Sequence, residues 1–255
     1  MWKGDYLFLL QNMVVKDFKI RYRNMSLGIF WSLLNPLILM AVMTFVFTIM
    51  MPNNKIQQFP LFLLCGLVPF NFFTSAWNNG TICIDNNAGL IKRVPVPREV
   101  VPIATVLSTC VHLMIQLGLL LAMTLIYGRG IHWNWLWLPV VWTLAVIFVC
   151  GIVLVTSALD VYVRDMRYVV ESACTVLFWA IPIFYYPSPE IAARFSFVFD
   201  FNPITALVFA LRIILIDGNA PSYTLLSKFA LSSFAMFGIG WVVFGRLKSK
   251  FFDYL

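Results

Sequence analysis

The chain has 255 residues, of which 61% are hydrophobic and 11% charged, and its formal net charge is +7. A soluble domain averages about 45–50% apolar and about 25% charged residues, and a chain of this length has too little interior to hide so much apolar surface. The composition therefore excludes an ordinary soluble protein and indicates that much of the surface faces lipid.

The first predicted element is an amphipathic helix over residues 1–23. Its apolar side chains recur with helical spacing, while polar side chains such as Asp5 and Lys16 cluster on the opposite side. We expect this helix to lie in the membrane interface, with Arg21 and Arg23 at headgroup level before the chain turns into its first span. A plain membrane anchor is the alternative interpretation.

Runs without charged residues locate the membrane spans, because a helix needs about 20 mostly apolar residues to cross a bilayer. Pro36 lies inside the first of these runs and is tolerated there as a kink. The sequence predicts an all-α polytopic membrane protein, a single transmembrane domain over 1–255, with six transmembrane helices at 28–50, 59–80, 100–127, 135–158, 168–186 and 222–246.

The segment 187–218, between spans five and six, is apolar but interrupted at Asp200, at Asn202-Pro203 and at Arg212. Each half is too short to cross the membrane, so the pattern favours a re-entrant helical hairpin on the extracytoplasmic side. Irregular backbone at membrane depth requires protein or a water-filled cavity around it, which suggests a pore mouth. A pair of interfacial helices is the alternative.

The distribution of basic residues predicts the orientation. With a cytoplasmic N-terminus, thirteen of the 18 Lys and Arg residues fall in cytoplasmic segments, so both termini are predicted to be cytoplasmic. The positive charge therefore reflects topology, and we expect no nucleic-acid partner.

The spans lack the groups that drive ion-coupled transport or catalysis. His112 is their one ionisable side chain apart from those at the ends, and we expect it to pack through a hydrogen bond. The chain contains no GxxxxGK[ST] phosphate loop and no cysteine pair with metal spacing. We predict no enzyme activity, catalytic residue, metal or cofactor in this chain, and any energy for transport would come from another subunit.

Two predicted cytoplasmic loops offer charged groups for docking a partner. They are DNNAGLIKRVPVPREV (85–100) and DVYVRDMRY (160–168), and within the second Asp160 and Arg164 have the spacing of a helical ion pair. The alternative is that these are ordinary solvated loops. The candidate docking residues are Lys92, Arg93, Arg98, Asp160, Arg164, Asp165 and Arg167.

Aromatic residues make up 16% of the chain and form a stripe in span two, where Phe70, Phe73 and Trp77 share one helix face. Such faces stack on the apolar surface of sugar rings, although core packing is the commoner use of a helical stripe. The candidate channel residues, which add positions in spans one and five, are Trp31, Phe70, Phe73, Trp77, Phe178, Trp179 and Tyr185.

The chain resembles the permease subunit of bacterial ATP-binding-cassette exporters of cell-surface polysaccharides, which include O-antigen, capsule and teichoic-acid exporters. The resemblance rests on four stretches, in this order: RYRNMSLGIFWSLLNP, GLIKRVPVPREVVP, VYVRDMR and FNPIT. The resemblance covers nearly the whole chain. It implies a multi-pass protein of the bacterial cytoplasmic (inner) membrane that moves lipid-linked polysaccharide through a channel at the interface of a homodimer.

The resemblance further implies a partner ATPase in two copies, with ATP and Mg bound on that partner. The interface helix and the two charged loops would contact it. Two other functions stay open at this point: a drug or small-lipid exporter permease of the same superfamily, and a membrane-embedded lipid-phosphate transferase, for which Asp160 and Asp165 are the candidate acidic residues.

Overall fold

A computed structural model describes residues 5–22, 30–50, 56–93, 97–187, 190, 194 and 202–251, and within these ranges the secondary structure is entirely helical. The α-helices are α1 (Tyr6–Tyr22), α2 (Phe30–Thr44), α3 (Phe59–Thr81), α4 (Cys83–Asn86), α5 (Ala88–Arg93), α6 (Val100–Ile126), α7 (Trp137–Tyr162), α8 (Met166–Ala180), α9 (Pro203–Leu215) and α10 (Tyr223–Leu247). A π-helical turn, Phe45–Met50, extends α2, and 3₁₀ turns Trp133–Leu136 and Lys248–Lys250 flank α7 and α10.

Five helices of the described residues are long and apolar enough to cross a membrane: α2 with its π turn, α3, α6, α7 with its preceding turn, and α10. The all-helical membrane class predicted from the sequence is thus confirmed. The fifth predicted span corresponds to α8, which has 15 residues and a length of about 22 Å. Six spans therefore stay a prediction.

The helix α3 forms the centre of the bundle. It is buried along most of its length and packs against α2, α6, α7, α8 and α9. Its phenylalanines pair with rings on neighbouring helices: Phe72 makes an edge-to-face contact with Trp142 at a centroid distance of 5.9 Å. Aromatic contacts of this kind contribute about 0.5–1.5 kcal/mol beyond burial, so they hold α3 tightly in place.

The helices α7 and α10 approach each other closely at two glycines. A Cβ atom added to Gly151 of α7 would lie 2.6 Å from the carbonyl carbon of Met236 on α10, and one added to Gly240 would meet the carbonyl oxygen of Gly151. Small residues at a crossing let helix backbones touch, which is how helices associate where lipid removes the hydrophobic driving force.

The interruption at Asn202-Pro203 is the start of α9. The Asn202 side-chain oxygen accepts a hydrogen bond from the Ile204 backbone N–H at 3.0 Å, and Pro203 occupies the first helical position. This is a standard N-terminal cap. The second half of the predicted hairpin is therefore a helix, while most of its first half lies outside the described residues, so the hairpin itself stays a prediction.

A second apolar cluster lies at one end of the bundle. We call this end the basal end, and it comprises residues 83–93, 97–101, 158–167 and 244–251. Buried members of the cluster include Ile84, Val101 and Phe251, and Met13 of α1 packs into it. Leu9, Leu10 and Val14 of α1 also pack there, whereas Tyr6, Leu7 and Phe8 are exposed. Much of the predicted apolar face of α1 thus contacts protein.

Candidate functional sites at the basal end and along the aromatic face

Arg167 of α8 joins two acidic residues at the basal end. Its Nη2 atom lies 3.7 Å from Oδ2 of Asp160 and 3.8 Å from Oδ2 of Asp85. Asp160, at the end of α7, is 3% exposed, while Asp85 of α4 is open to solvent. Because a buried carboxylate needs an opposite charge, Arg167 is the group that connects α4, α7 and α8 electrostatically.

Asp160 forms its ion pair with Arg167. The helical spacing had predicted Arg164 as its partner instead. The helix α7 ends at Tyr162, and Val163 is extended, so Arg164 lies on the turn before α8 rather than one helical turn beyond Asp160. Arg164 and Asp165 are both exposed there, and the Arg164 carbonyl accepts a hydrogen bond from Nε of Arg167 at 3.0 Å. Both charges therefore point away from the core.

A second charge network holds the end of α10 against the start of α6. The Nζ atom of Lys248 lies 3.2 Å from both carboxylate oxygens of Glu99. Arg98 donates a hydrogen bond to the Lys248 carbonyl and places its guanidinium 5.8 Å from the ring centroid of Phe251, which is fully buried. The Tyr162 hydroxyl donates to the Leu247 carbonyl at 2.7 Å. Arg98 thus helps to hold the end of α10 against the start of α6.

The remaining predicted docking residues lie on α5. Lys92 is exposed, and Arg93 is the last residue of that helix, with its side chain outside the described residues. The structure therefore places the predicted docking charges at one end of the bundle. Lys92, Arg164 and Asp165 are exposed there, while Asp160 and Arg98 make contacts that connect helices of the bundle.

The aromatic stripe of α3 is packed inside the single chain. Phe70, Phe73 and Trp77 are 6%, 2% and 8% exposed. Phe73 lies with its centroid 5.1 Å from that of Trp77 and stacks on Phe148 of α7 at 6.3 Å. The indole N–H of Trp77 has no hydrogen-bond partner among the described residues.

The stripe meets the aromatic end of α8. The ring centroids of Phe70 and Phe178 are 5.4 Å apart, and Phe178 touches Trp179 at 5.5 Å. Trp179 is 61% exposed, and the half-buried Tyr185 donates its hydroxyl to the Ala180 carbonyl at 3.2 Å. Trp31 of α2 is 44% exposed. Contacts between buried and exposed rings thus connect α3 to α8. The role of these residues in a channel stays a prediction.

Sequence reasoning missed the partners of the predicted residues. Asp85, Glu99 and Lys248 complete the basal networks, and none of them has a sequence spacing that reveals its partner. The sequence marked Arg212 of α9 only as an interruption of an apolar segment and did not predict its contacts. Arg212 is 2% exposed, lies 3.4 Å above the Phe62 ring centroid and donates to the Ile183 carbonyl at 2.7 Å. The sequence signal for a buried arginine was its position within an otherwise apolar helix.

The described residues contain no group of three or more His, Cys, Asp or Glu side chains able to hold a metal ion. The two carboxylates considered for transferase chemistry have different surroundings: Asp160 is buried beside Arg167, and Asp165 is exposed.

Comparison with known proteins gives a consistent result. The profile described as ABC-2 type transporter matches residues 9–216. An O-antigen export system permease protein RfbA from Klebsiella pneumoniae is 31% identical over 252 residues, which cover 98% of this chain and 96% of the relative. RfbA from Myxococcus xanthus is 28% identical over 97% of this chain and 95% of its own length. The polysialic acid transport protein KpsM from Escherichia coli is 26% identical over 78% of each chain.

Proposed function

Because this chain belongs to the ABC-2 type transporter family, we propose that it is the permease subunit of an ATP-driven exporter that moves lipid-linked polysaccharide across the bacterial cytoplasmic membrane. The main support is the alignment of 98% of the chain with an O-antigen export permease. The five helices that are long and apolar enough to cross a membrane also support a role in transport across it.

Energy for transport comes, in this proposal, from a separate ATPase subunit in two copies, which binds ATP and Mg. The spans contain no cluster of ionisable side chains with which to bind a driving ion. The exposed charges on α5 and on the α7–α8 turn suit docking of that subunit at the basal end, on the cytoplasmic side. Exposed charges steer association and set its specificity more than they add affinity.

The channel would form between two copies of the chain. The helix α2 leaves most of its apolar surface open, including Phe30, Ile38 and Val42, and α8 exposes Val176 and Trp179. These faces must contact either lipid or another protein. A homodimer that joins them would bring the exposed aromatic residues of both copies to a common interior, where rings bind sugar units weakly and repeatedly.

Deleting the coding region in the producing bacterium tests the function. We expect completed lipid-linked polysaccharide to accumulate on the cytoplasmic face, with none at the cell surface, and the wild-type chain to restore export. Glycan staining of intact and lysed cells separates the two pools. Normal surface polysaccharide together with lost efflux of a drug or small lipid would instead identify the other exporter class considered above.

A further inference from the structure

The helix α2 is packed most closely at one turn. Of its residues, Ser32 and Pro36 are the buried ones, whereas Phe30, Ile38 and Val42 are among those that are exposed. Residues four positions apart lie on one face of a helix, one turn from each other. The best-packed part of α2 is therefore the turn that ends in its proline.

The proline changes the hydrogen bonding of this turn. In an α-helix the N–H of residue 36 would donate to the carbonyl of residue 32, but Pro36 has no N–H. The Ser32 carbonyl therefore cannot receive the hydrogen bond that the helix would normally supply. Within a membrane, a proline is tolerated in a helix because a neighbouring helix, a side chain or a water pairs with the backbone group that the proline frees.

A side chain of α6 supplies a donor at this place. Nε2 of Gln116 donates a hydrogen bond to the Ser32 carbonyl oxygen at 3.2 Å. Gln116 is 4% exposed and lies sixteen residues after Val100, where α6 begins, and ten residues before Ile126, where it ends. The contact is thus well inside a candidate membrane span, and it joins α2 to a helix that is distant in the sequence.

The surroundings of the Gln116 amide agree with this orientation. Its nitrogen also lies 3.5 Å from Nε2 of His112, one helical turn earlier, whereas its oxygen has no hydrogen-bond partner among the described residues. A backbone carbonyl can only accept a hydrogen bond, so the amide nitrogen and not the oxygen must face Ser32. A buried amide oxygen without a hydrogen bond costs free energy. The fold therefore bears this cost at a position where the amide nitrogen donates to α2.

We propose that Gln116 is a positioning residue that holds the proline turn of α2 against α6. Its hydrogen bond replaces the one that Pro36 removes. A proline is the usual site of a bend in a helix, so the residue that fixes this turn also sets the direction in which the rest of α2 continues. The hydrogen bond itself does not depend on what the protein transports. Its effect on export rests on the proposed function, in which the exposed face of α2 contributes to the channel.

A double-mutant cycle on thermal unfolding of the full chain in detergent tests the hydrogen bond. Gln116→Met removes the donor with little change in volume, and it should lower the Tm by about 2–6 °C. Pro36→Ala restores a backbone N–H four residues after Ser32, so in that background Gln116→Met should lower the Tm by less than about half as much. Equal losses in both backgrounds would overturn the proposal, because they would show that Gln116 acts through packing alone.

Thr124→Val is the matched control for this cycle. Thr124 is a fully buried polar residue of the same helix, and its hydroxyl donates to the Leu120 carbonyl within α6 at 2.8 Å. The loss in Tm should therefore be the same with proline or alanine at position 36. If Gln116→Met yields no folded protein, the double variant decides. Recovery of folded protein on adding Pro36→Ala would support the proposal, and no recovery would contradict it.

Hydrogen exchange measures the positioning of α2 directly. In Gln116→Met the amides of α2 should exchange faster, while those of α7 and α10 should stay as protected as in the wild type. Adding Pro36→Ala should restore the protection of α2. Unchanged exchange in α2 of the Gln116→Met chain would overturn the positioning role.

Export by the chain together with its ATPase measures the consequence for transport. Export per folded molecule should fall by about twofold or more in Gln116→Met and recover in part when Pro36→Ala is added. Faster exchange in α2 with unchanged export would overturn the role of Gln116 in transport. The unfolding cycle and the exchange measurement need no substrate, so their results stand whatever the deletion test of the proposed function shows.

Discussion

Arg167 is the residue whose loss should most disturb the basal end. In Arg167→Gln the Asp160 carboxylate, which is 3% exposed, loses its ion-pair partner. Because Arg167 itself is partly open to solvent, we expect a loss of about 1–3 kcal/mol in the free energy of unfolding.

Thermal unfolding of the purified chain measures this loss. Adding Asp160→Asn to Arg167→Gln should recover part of it, because the buried site is then neutral. Arg164→Gln is the control, since its side chain is exposed, and it should unfold like the wild type. An equal loss in Arg164→Gln and Arg167→Gln would contradict the assignment of the ion pair.

The exposed charges of the α7–α8 turn should act on the partner and not on the fold. In the double reversal Arg164→Glu with Asp165→Lys, we expect an unchanged Tm, because neither side chain is buried. ATPase association should weaken, or hydrolysis should uncouple from export. Exposed ion pairs contribute only about 0–1 kcal/mol each, so single neutral substitutions should be mild. Pull-down and export assays on one preparation check this, and full export in the double reversal would exclude the turn as a coupling element.

The aromatic residues require a test that separates packing from transport. Phe73→Ala and Trp77→Ala remove buried rings, so each should cost about 3–5 kcal/mol of stability whatever its role in export. Trp179 is 61% exposed and contacts the rings of Phe178 and Phe184, so Trp179→Ala should lower the stability less than the loss of a buried ring does. It should also slow export of long polymers if its ring lines the channel.

The control for Trp179→Ala is Trp133→Ala. Trp133 is 89% exposed in the turn before α7 and is not among the candidate channel residues. Export rate per folded molecule is the quantity to compare. Equal export by Trp179→Ala, Trp133→Ala and wild type would remove Trp179 from the channel.

At the scale of whole helices, the α7–α10 crossing is the contact most sensitive to one added carbon. Gly151→Ala would place its Cβ 2.6 Å from the Met236 carbonyl carbon, so the two backbones must separate. We expect a loss of about 1–3 kcal/mol, the usual cost of overpacking.

Gly118→Ala is the matched control for Gly151→Ala, because a Cβ at Gly118 of α6 has nothing within 4 Å. Alanine is also the better helix former, so this variant should be as stable as the wild type or slightly more so. Thermal unfolding of both variants in the same detergent makes the comparison. A Gly151→Ala chain as stable as Gly118→Ala would show that α7 and α10 do not cross at Gly151.

The sequence predicted the long helices well and the short ones less well. The apolar runs of α3, α6, α7 and α10 locate these helices because lipid imposes a minimum length on an apolar segment. For α8 the apolar composition continues past the end of the helix at Ala180, so composition alone overestimated its length. At Asn202-Pro203 the sequence predicted an interruption correctly, and the structure shows its cause, a helix cap.

For the whole molecule, the proposed function predicts transport driven by ATP alone. Vesicles that contain this chain and its ATPase should move lipid-linked polysaccharide when ATP is supplied. Vesicles that contain the chain without the ATPase should move none under a proton or sodium gradient, because the spans lack ion-binding groups. Accessibility of the glycan to an added glycosidase reports the transfer. Gradient-driven transport by the chain alone would contradict the energy source.

The sequence by itself determined the class of the protein, since apolar length and the scarcity of charge follow directly from residue order and from the thickness of the bilayer. It also identified the charged loops and the aromatic stripe. Only the tertiary structure decided that Arg167 and not Arg164 pairs with Asp160, that Phe73 is buried while Trp179 is exposed, and that Gln116 donates to the Ser32 carbonyl. The physical reason is that these outcomes depend on where helices end and how closely they cross, and those geometries are set by contacts between residues far apart in the chain.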